Sequence, residues 1–205
     1  VMFEPAAPNA RSLSLQTDGN LILSAGLPLI YRVQSDGTPD TSFNTEGYNV
    51  LPPDIFVFGP INKLQTDAKV VLGGVNMADD DPLTLNFYMA RLTTDGILDT
   101  TFQTDGTSTF AIGTSVDWIH EMAVQPDGKI AIASTYQTEP DWSNTDYGLV
   151  RLDTDGSFDT SFNTTGILRR DLDANISVAP TGMALQPGGK ILYSGMTQAG
   201  QMEIF

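Results

Sequence analysis

The chain has 205 residues, of which 40% are hydrophobic, so it is long enough to bury a substantial core as one domain or one repeat array. Its 10 Lys and Arg against 25 Asp and Glu give a net charge of −15 at pH 7, which disfavours binding to nucleic acids and to anionic membranes. The absence of cysteine excludes disulfides, thiolate nucleophiles and Cys-ligated zinc, and a single histidine, His120, excludes multi-histidine metal sites.

The first predicted element is a β-hairpin that recurs along the chain. In LQTDGNLILSAG, which starts at Leu15, apolar residues lead into and out of an Asp-Gly turn. We call this segment the first module, and it returns as LQTDAKVVLGG, VQPDGKIAIAS and LQPGGKILYSG. Its glutamines are Gln16, Gln65, Gln125 and Gln186, with spacings of 49, 60 and 61 residues. A strand-built period of this length indicates a propeller or a solenoid.

A second module follows each of the first three hairpins. It reads YRVQSDGTPDTSFNTEG from Tyr31, ARLTTDGILDTTFQTDG from Ala90 and VRLDTDGSFDTSFNTTG from Val150. It also contains an Asp-Gly turn, so each unit is predicted to hold two hairpins, or about four strands. Four strands per unit are typical of a propeller blade.

These two modules carry a resemblance to a known family. The segment VQPDGKI followed by RLDTDGSFDTSF resembles the delta-60 repeats of bacterial proteins. The departures are Ala68 at a turn glycine and Gly188 at a turn aspartate, both of which tight turns accommodate. The resemblance implies a β-propeller-like array in a secreted or surface protein, and it carries over no catalytic residue.

The fold predicted is all-β: one domain over 1–205, a β-propeller-like array of about four four-stranded blades. The repeats are expected at about 11–47, 60–106 and 120–166, with a partial repeat at about 181–205. The fourth strand of each blade is either the segment after the module's last glycine, such as Gly166, or a segment such as Ser157–Phe162. The array is either closed by the N-terminal segment Val1–Glu4 or part of a larger propeller, which would leave no exposed sheet edge.

One stretch of the chain could hold a metal ion. Asp79, Asp80 and Asp81 are consecutive carboxylates in a loop of repeat two, and Ca²⁺ takes oxygen ligands of this kind. The alternative is a solvated acidic loop. No other cofactor is expected.

The variable loops of repeat three are the second candidate site, because function commonly lies on irregular loops of a rigid scaffold. Aromatic and carboxylate side chains together suit sugar rings, which favours a glycan ligand here; the residues are Trp118, His120, Tyr136, Glu139, Asp141 and Trp142. The alternative is that Trp118 is a packed residue at the start of a strand.

The repeated aspartates have a different interpretation. Asp40, Asp99 and Asp159 recur at one position of the second module, so they are expected to accept backbone N–H bonds at a turn. No catalytic residue is predicted. The function predicted is a non-catalytic structural or interaction module of a secreted or cell-surface bacterial protein, with protein partners or self-assembly. A carbohydrate-binding or polysaccharide-acting propeller is the alternative. Neither membrane insertion nor nucleic-acid binding is expected.

Overall fold

The structure is a computed structural model that describes residues 10–25, 29–52, 58–78, 81–138, 145–171, 178–197 and 202–204. Within them the chain forms fifteen β-strands: β1 (Ala10–Leu15), β2 (Leu21–Ala25), β3 (Leu29–Val33), β4 (Tyr48–Val50), β5 (Phe58–Leu64), β6 (Val70–Ala78), β7 (Asp81–Leu92), β8 (Thr107–Phe110), β9 (Asp117–Val124), β10 (Ile130–Tyr136), β11 (Asp146–Leu152), β12 (Ile167–Arg170), β13 (Val178–Leu185), β14 (Ile191–Thr197) and β15 (Met202–Ile204). The described residues contain no α-helix. These residues therefore include no helix that is long and apolar enough to cross a membrane.

The strands form four sheets, one for each repeat. Their strand orders are β1-β2-β3-β4, β5-β6-β7-β8, β9-β10-β11-β12 and β13-β14-β15, so each strand pairs with its neighbour in sequence. This meander of antiparallel strands confirms the all-β fold and the prediction of about four strands per repeat. The fourth sheet has three strands among the described residues.

The first module forms its hairpin through a tight turn, which has one residue in the left-handed conformation in the first three repeats and two, Gly188 and Gly189, in the fourth. In repeat one, Gly19 N–H donates to Gln16 O at 3.0 Å, and Gln16 N–H donates to Asn20 O at 2.8 Å. Gly19 has φ of 89° and Asp18 accepts the N–H of Asn20 at 2.9 Å. The turn is therefore a type I turn followed by a left-handed glycine, which explains why an Asp-Gly pair recurs there.

The second module contains one strand before its turn and one strand well after it. Immediately beyond the turn, Phe158 makes only a single bridge to Leu152. The strand that pairs with β11 is β12, which begins after Gly166, with Val150 opposite Ile167. The structure thus selects the segment after the last glycine as the fourth strand, and it excludes Ser157–Phe162.

The central strands have both faces buried, as their continuous apolar sequences predict. All seven residues of β10 and all five of β3 are buried. A strand covered on both faces has no solvent side and does not need an alternating sequence. The first strand of every sheet is irregular, because its register shifts opposite the second strand.

The chain divides into two compact units, one comprising Val1–Asn76 with Tyr88–Ser108 and the other Met77–Phe87 with Thr109–Phe205. The first unit has a core around Ile22, Phe43 and Tyr88. The second has a core around Ala133, Leu149 and Tyr193. The single-domain assignment and the repeat limits remain predictions. Closure by Val1–Glu4 concerns residues outside the described part of the chain.

Candidate functional site

The repeated charged residues form an ion pair in each of the first three repeats, which is buried in repeats one and two and partly buried in repeat three. In each pair, the Nε of the arginine on the third strand donates a hydrogen bond to Oδ2 of the aspartate that follows the Asp-Gly turn. The distances are 2.7 Å for Arg32 and Asp40, 2.8 Å for Arg91 and Asp99, and 2.5 Å for Arg151 and Asp159. The sequence interval between the two residues is the same in each repeat, so the pair is part of the repeat architecture.

The same aspartate also holds the turn that follows it. In repeat three, Asp159 Oδ1 accepts the backbone N–H of Ser161 at 3.0 Å and its hydroxyl at 2.6 Å. The hydrogen bonds from Ser161 and then from Lys129 hold the pKa of Asp159 well below its usual range. The guanidinium of Arg151 lies 4.8 Å from the ring centroid of Phe162. The structural role predicted for the repeated aspartates is confirmed, and the arginine is the partner that the sequence did not reveal.

Unrepeated polar residues lie at the opposite end of the third sheet. Asp117 at the start of β9 and Asp146 at the start of β11 both stand directly opposite Tyr136, the last residue of β10. Directly opposed residues project from the same face of a sheet. All three residues are buried, and they therefore form a row of two carboxylates about one phenol.

Asp117 is fixed by two backbone donors. Its Oδ2 accepts the N–H of Ile112 at 2.7 Å, and its Oδ1 accepts the N–H of Gly113 at 2.8 Å. Burial raises the pKa of Asp117 to about 6, although these hydrogen bonds and the charge of Arg169 oppose the shift. Burial, followed by the charge of Asp146, raises the pKa of Tyr136 to about 12. With both oxygens of Asp117 engaged, this carboxyl group serves to hold the loop before β9.

Further bonds join that loop to the end of β10. Gln137 O accepts the N–H of Thr114 at 2.9 Å, and the hydroxyl of Thr114 donates to Thr138 O at 2.6 Å. Arg169 Nε donates to Ile112 O at 2.7 Å. An added Cβ at Gly113 would lie 2.3 Å from Gln137 O, so only glycine fits this approach. These bonds make the loop before β9 and the end of β10 one hydrogen-bonded platform at this end of the sheet.

Three of the predicted ligand-binding residues, Trp118, His120 and Tyr136, lie in the described part of the chain, and they occupy both faces of the third sheet. Trp118 stands opposite Thr135, and His120 Nε2 lies 2.9 Å from the Thr135 hydroxyl, so these residues share one face of the sheet. Tyr136, the neighbour of Thr135 on β10, projects from the other face and is buried. Burial lowers the pKa of His120 to about 4, which leaves its imidazole neutral at pH 7.

The remaining predicted site residues lie where the structure gives no side-chain description. Glu139, Asp141 and Trp142 of the glycan site and Asp79 and Asp80 of the metal site are outside the described residues, and Asp81 is described only as the first residue of β7. Within the described residues, no group of three or more His, Asp or Glu side chains is arranged to hold a metal ion. The glycan site and the Ca²⁺ site therefore stay predictions.

The row around Tyr136 was missed by sequence reasoning, although the repeats contain a signal for it. Asp117 lies eight residues before Gln125, and the corresponding residues of repeats two and four are Val57 and Val178. A carboxylate at a position that is apolar in other copies indicates a local role. Comparing unrepeated residues position by position would have found Asp117.

Comparison with known proteins agrees with the observed sheets. The family model described as "Domain of unknown function (DUF5122) beta-propeller" matches residues 84–102 and 125–162, which lie in repeats two and three. No curated protein sequence matches the chain significantly.

Solved structures with a similar fold are propeller enzymes of low sequence identity. A catalytically inactive virginiamycin B lyase from Staphylococcus aureus, with quinupristin, has a TM-score of 0.54 and 13% identity, with 100% of this chain and 58% of the lyase covered. The soluble aldose sugar dehydrogenase from Escherichia coli has a TM-score of 0.57 and 16% identity, with 97% and 60% covered. A glucose dehydrogenase has a TM-score of 0.53 and 16% identity, with 97% and 65% covered.

The chain therefore spans less than two thirds of the length of each of these three proteins. At such low identity the likeness concerns the fold alone. Four antiparallel sheets built from recurring modules, the family match and these structural neighbours lead to one conclusion: the chain is a β-propeller repeat protein.

Proposed function

We propose that this chain is a non-catalytic interaction module that contributes a rigid propeller scaffold to a protein assembly outside the cell or at its surface. The observation that carries the proposal is the use of the repeated charges. Asp40, Asp99 and Asp159 are each bonded to an arginine and to the turn that follows, which removes them from acid–base work. The acidic, cysteine-free composition and the resemblance to delta-60 repeats support an extracellular setting.

The surface proposed to contact a protein partner is the segment 138–145, which we call the β10–β11 loop. It is unrepeated, and its flanking strands β10 and β11 are paired up to Tyr136 and Asp146, with Asp117 holding the adjacent loop before β9. Fixed flanking strands limit the conformational entropy that the segment between them loses on binding. Its acidic and aromatic residues, Glu139, Asp141 and Trp142, suit a partner with basic and apolar side chains.

The experiment replaces the β10–β11 loop with a Gly-Ser linker and compares cross-linking to surface and secreted proteins of the source cells. We expect a specific protein adduct of the unmodified chain that disappears in the loop replacement. Asp155→Asn is the matched control, because Asp155 is exposed at the opposite end of the same sheet. An adduct that persists after loop replacement would refute this surface.

A glycan array decides between the proposal and the carbohydrate alternative. The unmodified chain and Trp142→Ala are applied to the same array. The proposal expects no glycan signal that depends on Trp142. A saturable signal that Trp142→Ala abolishes would instead establish carbohydrate recognition by repeat three.

A further inference from the structure

The loop before β9, residues 111–116, is bonded to two other strands of the third sheet. Thr114 N–H donates to Gln137 O at 2.9 Å, which ties the loop to the end of β10. Arg169 of β12 donates its Nε to Ile112 O at 2.7 Å. A change in this loop therefore reaches the end of β10, where the β10–β11 loop begins.

A single carboxyl group holds the first half of this loop. Asp117 Oδ2 accepts the N–H of Ile112 at 2.7 Å, and Oδ1 accepts the N–H of Gly113 at 2.8 Å. An ionised carboxylate is an acceptor at both oxygens, so it can serve both donors at once. Protonation turns one oxygen into an O–H donor, which weakens the bond that this oxygen makes with a backbone N–H. The neutral form of Asp117 therefore cannot hold both amides at full strength.

The two oxygens of Asp117 differ in their access to water. The bond from Oδ2 to Ile112 is buried, whereas the bond from Oδ1 to Gly113 is only partly buried. A proton that arrives from water should add to Oδ1 and release the N–H of Gly113. Gly113 also lies close to the end of β10, because an added Cβ there would be 2.3 Å from Gln137 O. Release of Gly113 thus acts on Gln137.

The surroundings of Asp117 set the pH at which this happens. Burial raises the pKa of Asp117 to about 6, although its backbone hydrogen bonds and the charge of Arg169 oppose the shift. The loop 111–116 itself contains no ionisable residue. The ionisable groups on the neighbouring elements are His120 of β9, Tyr136 of β10, Asp146 of β11, Arg169 of β12 and Asp171 directly after it. Proton uptake removes the cost of a buried charge, so the folded chain gains stability even though one hydrogen bond is weakened.

We propose that Asp117 is a pH-responsive latch: its ionised form holds Ile112 and Gly113, and its protonated form releases Gly113 and loosens the loop before β9 at Gln137. The start of the β10–β11 loop is affected as well, because the hydroxyl of Thr114 donates to the first residue of that loop. Control of partner binding through this latch rests on the function proposed above. The latch itself is measured on the chain alone, so its failure is distinct from a failure of that function.

The experiment follows backbone amide hydrogen exchange by NMR between about pH 7.5 and pH 5, with each rate corrected for the intrinsic rate at that pH. We expect the protection of the Gly113 amide to fall by about tenfold with a midpoint near pH 6, while Ile112 stays protected. The Ser161 amide is the matched control, because it donates to Asp159 Oδ1 at 3.0 Å and hydrogen bonds hold the pKa of Asp159 well below its usual range. Its protection should not change.

Variants of the chain assign the midpoint to Asp117. Asp117→Asn cannot titrate, so the protection of Gly113 should be independent of pH in this range. Arg169→Gln removes the charge that opposes the raised pKa of Asp117, so the midpoint should move to higher pH. Arg170→Gln removes an arginine from the same strand as a control and should leave the midpoint in place.

Far-UV circular dichroism verifies that each variant is folded, and the two arginine variants decide the question alone if Asp117→Asn does not fold. Constant protection of Gly113 in the unmodified chain would overturn the inference. The same holds for a midpoint that persists in folded Asp117→Asn, or for one that Arg169→Gln does not move.

Discussion

Lys129 Nζ lies 2.9 Å from Asp159 Oδ2, so a residue of the first module is joined to the aspartate of the second module. Lys69 and Asp99 form the same link in repeat two, also at 2.9 Å. In repeat one the lysine is replaced by Asn20, whose Nδ2 lies 3.4 Å from Asp40 Oδ2. The two hairpins of a repeat are therefore connected by a side-chain bond whose strength differs between copies.

This difference predicts that Asn20→Lys stabilises the chain. The new ammonium would take the position that Lys129 occupies, and we expect the free energy of unfolding to rise by up to about 1 kcal/mol. Lys129→Asn is the reciprocal variant and should lower it by a similar amount. Urea unfolding measures both, and a destabilised Asn20→Lys would contradict the prediction.

A second prediction concerns Ala68, which occupies the turn position held by glycine in the other first modules. Ala68 has φ of 64°, a left-handed conformation that costs an alanine about 1 kcal/mol. Ala68→Gly should therefore raise the free energy of unfolding by about 0.5–1 kcal/mol. Gly19→Ala, at the same turn position of repeat one, should lower it. If the two variants shift the urea midpoint in the same direction, the turn assignment is wrong.

The packing of Gly96 on Phe43 gives a third prediction. Gly96 and Gly37 both have positive φ, but an added Cβ at Gly37 would meet nothing within 4 Å. Gly37→Ala should cost only the conformational strain, about 1 kcal/mol. Gly96→Ala adds a collision with the Phe43 ring, so the cost should exceed that of Gly37→Ala by about 1–3 kcal/mol. Equal costs in thermal or urea unfolding would show that the turn does not press on the ring.

The pKa of Asp117 is raised from an ordinary 3.8 to about 6, so this residue should make the folded chain more stable at acid pH than at neutral pH. A carboxyl with a higher pKa in the folded chain binds its proton more tightly there, so its contribution is complete below about pH 4 and is lost as the pH rises through about 6. The free energy of unfolding of the unmodified chain, measured relative to that of Asp117→Asn, should rise by about 2–3 kcal/mol when the pH is lowered from 7 to 4. Urea titrations at both pH values measure this change, and a constant difference would refute the assignment.

His120 predicts the opposite trend in nearly the same range. Its pKa is lowered from 6.5 to about 4, so its contribution is complete above about pH 6.5 and is lost as the pH falls through about 4. Relative to His120→Gln, the unmodified chain should lose about 2–3 kcal/mol between pH 7 and pH 4. The glutamine keeps a donor for Thr135, which separates the effect of charge from the loss of the hydrogen bond.

The repeats made most of the fold predictable, because recurring Asp-Gly turns and apolar runs mark the hairpins independently of any long-range contact. The choice of the fourth strand was not predictable: Ser157–Phe162 and the segment after Gly166 both read as short strands. In the structure, the hydrogen bonds of Asp159 to Arg151 and Ser161 hold the chain in a turn between these two segments.

The candidate site was less predictable than the fold. The sequence predicts that Trp118, His120 and Tyr136 lie on two paired strands of repeat three. The face of the sheet on which each side chain lies depends on the strand register and on the irregularity between Ala133 and Ser134. The platform around Asp117 depends on backbone donors of Ile112 and Gly113, which no side-chain pattern reveals.

The repeated charges join the strands and turns of the first three repeats, and we propose that unrepeated residues contact partners. The most direct test measures the free energy of unfolding for Asp40→Asn, Asp99→Asn and Asp159→Asn, with Asp155→Asn as an exposed control. Each of the three should lower it by about 2–3 kcal/mol, because an arginine and a second donor lose the carboxylate that they share. The control should change it by less than about 0.5 kcal/mol. Unaltered stability in the three variants, with loss of partner binding, would contradict the account.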